Sequence, residues 1–160
     1  MKKLFFLRKT VLVGILLFGL STTAQSLVKP TQVTPQYLKT LFENAKIQVE
    51  ETAPDHIKIR QIYQLSLDID SRKRFIVIKT SYALKENVSE QKALALVNRL
   101  NTEIPLTKIS YDKASNSLFY VYHFWIEKGF SAQGLITATE FFSRLISLSF
   151  DKDKEGLINS

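Results

Sequence analysis

One run of alternating residues restricts this chain more than any other feature. Ile57, Ile59, Tyr63, Leu65, Leu67 and Ile69 all occupy odd positions. Lys58, Arg60, Gln64, Ser66, Asp68 and Asp70 stand between them. A strand sends successive side chains to opposite faces, so this is a sheet with one dry and one wet face. The phase breaks at Gln61-Ile62, where a turn or bulge can split the run in two. Asp70-Ser71-Arg72-Lys73 reads as a hairpin turn, and Phe75 to Leu84 as the next strand. That strand is apolar on both faces and so belongs nearer the middle. Ile47 and Val49 begin a strand before Ala53-Pro54-Asp55, itself a turn signal.

Helical spacing brackets this region. Thr34-Pro35 has the form of an N-cap followed by proline at the first helical position, and Tyr37, Leu38, Leu41, Phe42 and Ala45 follow at one face. This helix is expected to end near Lys46. Ser89 caps a second helix with Glu90 in its first turn and Leu94, Val97, Leu100 and Ile104 as its stripe. Leu106 to Tyr111 and Leu118 to Glu127 are strands about the turn 112–116. Ser131 caps a last helix reaching about Phe150, with Leu135, Ala138, Phe142 and Leu145 inward. The order α-β-β-β-α-β-β-α predicts an α+β fold: an antiparallel sheet of about five strands with helices on one face.

The N-terminus carries an address. Lys2, Lys3, Arg8 and Lys9 precede an apolar stretch, Val11 to Leu20, interrupted only by glycines, and small residues follow. Positive, apolar, small is the order of a secretory signal peptide, here residues 1–26, cut after Ala24 or Ser26. A spanning helix needs about 20 apolar residues, so no membrane span is expected once the leader is gone. The expected localisation is periplasmic or secreted. Residues 27–34 read as a flexible lead-in, 35–150 as the domain and 151–160 as a polar tail.

Charge and composition exclude several functions. The chain has a net charge of +7, but the leader holds four cations and no acid, so its removal leaves +3. With export, this argues against a nucleic-acid partner. There is no cysteine, hence no disulfide, thiol nucleophile or Cys-type metal site. The two histidines, His56 and His123, are far apart, and neither has an identifiable catalytic partner. Asp68 and Asp70 could face one way as a carboxylate pair, but Arg72, Lys73 and Arg74 beside them point to a charged hairpin end. Asp151-Lys152-Asp153-Lys154-Glu155-Gly156 mimics the start of a calcium loop, yet the chain ends before the required twelfth-position glutamate. No metal, cofactor or enzymatic role is expected.

The remaining candidate is the aromatic strand. Phe119, Val121, His123 and Trp125 share one face; Tyr120, Tyr122, Phe124 and Ile126 share the other. Helices can cover one of these. The uncovered one would be a partner surface, because Tyr and Trp are enriched at binding hot spots. The candidate partner-binding residues are Tyr120, Tyr122, Phe124, Trp125 and Ile126. An alternative is a carrier of a small apolar ligand or lipid, with a pocket between sheet and helices lined by Phe141, Phe142, Trp125 and Tyr122. A third is a hydrolase, which would need His123 beside a carboxylate in a cleft.

The order of elements, together with Val97-Asn98-Arg99-Leu100-Asn101 in the second helix, resembles the YbjN-type family of bacterial sensory transduction regulators. Glu43-Asn44-Ala45 before Ile47-Gln48-Val49 is similar to that family's passage from first helix to first strand. The paired strands 108–111 and 117–126, then Gly129 and a capped helix, complete a resemblance that runs from Tyr37 to Phe150. It departs at Lys46, where the family often has glycine. The resemblance implies the fold of type III secretion chaperones, with Asn98 and Asn101 as a structural motif. It also implies non-catalytic binding, of another protein or as a homodimer.

Overall fold

The computed structural model describes residues 27–159; the expected leader lies outside them. Six strands form one antiparallel sheet: β1 (Gln48–Thr52), β2 (His56–Arg60), β3 (Gln64–Ile69), β4 (Phe75–Ala83), β5 (Lys108–Asp112) and β6 (Ser117–Trp125), in the order β1-β2-β3-β4-β6-β5. Three helices accompany them: α1 (Pro35–Asn44), α2 (Glu90–Glu103) and α3 (Ala132–Lys152). The α+β class and antiparallel sheet are as expected, with six strands rather than about five. The extra strand arises because 53–55 and 61–63 both close hairpins, so the alternating run becomes β2 and β3. Ile57, Ile59, Leu65 and Leu67 point to one face and are buried.

Each helix starts at its expected cap. Thr34 Oγ1 accepts from Tyr37 N at 3.1 Å, Ser89 Oγ from Lys92 N at 3.4 Å and Ser131 Oγ from Gly134 N at 3.0 Å. These bonds satisfy amides that the helix itself cannot. Of the stripe expected on α2, Val97, Leu100 and Ile104 are buried and Leu94 is exposed, with Ala93 and Leu96 completing the buried face.

The C-terminal end of α1 explains the odd lysine. Ile47 N donates to Phe42 O and Lys46 N to Glu43 O, both at 2.9 Å, which is a Schellman closure. The motif needs a left-handed residue, and Lys46 has φ +62°. Glycine adopts this conformation without a Cβ clash.

Two expected boundaries need correction. Residues 27–34 are not a loose lead-in. Val28 and Phe130 exchange two backbone hydrogen bonds, Pro30–Gln32 form a 3₁₀ turn, and Val33 is fully buried. Nor, over the described residues 151–159, is the C-terminal segment a solvated tail. Leu157 and Ile158 are buried, Asn159 N donates to Ala83 O, and Ile158 N donates to Asp153 Oδ2 at 2.7 Å. Here β4 extends past the end of β3, and the C-terminal segment takes up the backbone groups left over. Lys46→Gly should raise unfolding stability by about 0.5 kcal/mol, the relief of left-handed strain exceeding glycine's entropic cost; urea denaturation measures it.

Candidate functional site

All three helices pack on one face of the sheet, and α3 decides which face of β6 is covered. Phe142 stacks on Tyr122 with ring centroids 6.3 Å apart. Ser149 Oγ lies 3.1 Å from the Tyr120 hydroxyl, and Phe130 meets Phe124 edge-on at 5.6 Å. Tyr120 is 1% exposed and Ile126 fully buried, while Tyr122 and Phe124 are half-buried. Four of the five residues expected to bind a partner therefore belong to the helix-covered side. Tyr120 and Ile126 offer no surface at all. Both faces of β6 are aromatic, so alternation alone could not choose between them. Trp125, on the opposite face, is 64% exposed.

The covered face also holds a polar seam. Gln61 donates to Thr139 Oγ1 and accepts from Ser143 Oγ, clamping the β2–β3 turn onto α3. Tyr63 OH lies 3.1 Å from Ser147 Oγ, and its ring stacks on Phe150. Gln61, which broke the alternation, is the residue that anchors this turn.

The uncovered face is built from the other parity of every strand. Its aromatic end pairs Phe75 with Trp125 and Val77 with His123 across β4 and β6. Phe75 meets His123 edge-on at 5.0 Å and Trp125 at 5.8 Å, and the Arg74 guanidinium lies 5.1 Å from the Phe75 ring centre. Phe119 and Val121 continue this surface, half-buried. Across β1 to β3 it becomes a charged ladder. Glu51 pairs with Lys58 at 2.5 Å, Glu50 with Arg60, and Asp68 with Lys79. Hydrogen bonds from Arg60 and Gln64 hold Glu50 below the usual carboxylate range, and one from Lys58 does the same for Glu51.

The other candidates separate. Asp68 accepts from Ser66 and Lys79, whereas Asp70 is held by Arg74, so the two carboxylates do not converge. His56 contacts Asp55 at 2.9 Å and Glu51 at 3.5 Å. Among the described residues no group of three acidic or histidine side chains could hold a metal ion, and no helix is long and apolar enough to cross a membrane. The four residues named for a ligand pocket do not meet either. Tyr122 and Phe142 pack on each other, Phe141 is exposed, and Trp125 stands on the far side of the sheet.

Asn101 is the plug of an edge. Its Nδ2 donates to Ile109 O at 2.8 Å and its Oδ1 accepts from Ile109 N at 2.9 Å. A side-chain amide thus takes the place of a neighbouring strand on the outer side of β5. Asn98 is exposed, and its backbone carbonyl accepts from Thr102.

The fold has solved counterparts. E. coli YbjN, described as a candidate transcription regulator, superposes with a TM-score of 0.69 at 11% identity, over 84% of this chain and all of that one. An uncharacterised protein from Methanothermobacter thermautotrophicus gives 0.59 at 11% identity, over 78% of this chain and 99% of its own. The chain therefore has a YbjN-like fold. No family model matches it, and no curated protein matches it in sequence.

Two outcomes follow. Asn101→Ala should cost about 1–2 kcal/mol and promote association through the opened β5 edge, seen as a lower urea midpoint and larger particles in light scattering. Burial pushes Tyr120 up to about 12. Its protonated form is favoured in the fold, so stability should be intact below about pH 10 and fall as pH rises toward 12. Tyr120→Phe should flatten that decline in denaturation curves taken across the range.

Proposed function

We propose that this chain is an exported, non-catalytic binding module that holds a polypeptide, a second copy of itself or another protein, on the open face of its sheet. The observation that carries this reading is the surface of Phe75, Val77, Phe119, Val121, His123 and Trp125, left without a helix above it. Aromatic residues of this kind make good anchors, because they bury much area at little entropic cost. The charged ladder beside them suits specificity rather than affinity, since it is already internally paired. The positive-apolar-small leader supports export to the periplasm or beyond. The likeness to YbjN supports a regulatory or chaperone-like form of binding, and nothing in the described residues calls for a cofactor.

Light scattering across a concentration series tests this, using protein recovered from the exported fraction, whose first residue should be Gln25 or Leu27. The protein should self-associate or bind an apolar dye. Trp125→Asp and His123→Asp should weaken whichever is seen by about tenfold, on the order of 1.4 kcal/mol, with an unchanged unfolding midpoint. A monomer at every concentration that binds no dye would contradict the reading.

A further inference from the structure

The end of the sheet where β6 stops and β4 starts has a character that polypeptide binding on the open face does not account for. The chain enters the domain there. Val28 pairs with Phe130, Ile126 N donates to Arg74 O, and Lys73 Nζ donates to Val33 O at 2.6 Å, which gathers three segments at one end. Leu27, Lys29, Pro30, Glu127, Lys128 and Gly129 surround a shallow hollow of about 560 Å³.

Two properties coincide at this end. The first is exposed apolar bulk. Leu27 is 59% exposed and Trp125 64%. Leu106, 70% exposed, lies two residues before Lys108 meets Val121, and so toward the same end. The second is charge of one sign. Lys29, Arg72, Lys73, Arg74 and Lys128 stand against Asp70 and Glu127. Asp55, whose carbonyl accepts from Ile69 N beside this hairpin, adds a third acid. Five cations against three acids make +2, most of the +3 that the chain carries without its leader. Among the described residues Lys29, Arg72 and Lys128 form no ion pair.

We infer that this end docks on an anionic lipid surface, with Trp125 and Leu27 at headgroup depth and Lys29, Arg72 and Lys128 over the phosphates. Tryptophan's amphipathic ring settles at the membrane interface, and clustered Lys and Arg are drawn to anionic headgroups. Flexible stems let these cations reach outward while their apolar parts stay on the protein. The inference shares Trp125 with the polypeptide-binding surface and adds to it the basic end formed by Lys29, Arg72 and Lys128.

The test uses the chain's only tryptophan as its probe. Exported protein is mixed with vesicles of equal parts phosphatidylglycerol and phosphatidylcholine, or of phosphatidylcholine alone. Trp125 emission should shift to the blue, and the protein float, with the anionic vesicles only. The effect should vanish in about 0.5 M salt, where screening is nearly complete beyond a few ångströms. Arg72→Glu with Lys128→Glu should lower partitioning at least about tenfold at an unchanged unfolding midpoint, whereas Lys108→Glu on the central face should leave it alone. Equal binding to neutral vesicles, no binding to either, or insensitivity to the double reversal would overturn the inference. So would a blue shift that follows protein concentration without lipid, which would assign Trp125 to a protein contact. Trp125→Asp should also lower flotation with the anionic vesicles, and flotation unchanged in that variant would overturn the inference.

Discussion

The seating of α3 across β6 is the contact on which the rest of the structure depends. Phe142 on Tyr122 and Ser149 on Tyr120 fix one side of the most aromatic strand as core. Stacked rings of this kind add about 0.5–1.5 kcal/mol beyond the area they bury. Once that side is dry, pleating sends Phe119, Val121, His123 and Trp125 to the other face, where no helix lies. The open face is thus the direct complement of the core, and its position follows from strand geometry once α3 is seated.

The sheet's two edges are managed differently from its face. At β5 the Asn101 amide satisfies both backbone groups of Ile109 that a further strand would use. At β1 the register slips between Val49 and Glu51, and the carboxylates of Glu50 and Glu51 turn inward to Arg60 and Lys58. A bulge and charged residues are common devices against edge pairing. The proposed contacts therefore rest on the aromatic face and the basic end rather than on the edges.

Much of this architecture was legible in the residues. Thr34, Ser89 and Ser131 announced the helix starts because capping is local chemistry. The odd-position run from Ile57 to Ile69 showed its buried side because it is apolar on one side only. Gln61-Ile62 marked the strand break. Three features were not legible, each for the same reason: they depend on partners distant in sequence. Beta6 is aromatic on both sides, so only the docking of α3 distinguishes them. Val28 looks unstructured until Phe130 is beside it. Leu157 and Ile158 follow a charged stretch, and their burial depends on β4 outlasting β3. Lys46 departs from the glycine of the YbjN-type pattern, but only its positive φ shows what the position demands.

The central claim is that helices cover one side of β6 and leave the other open. Hydroxyl-radical footprinting of the dilute protein, read residue by residue by mass spectrometry, tests it most directly. Trp125 and His123 should oxidise readily while Tyr120 and Phe142 stay protected until the protein unfolds. Equal protection of both sets at high dilution, or preferential oxidation of Tyr120 and Phe142, would contradict this account.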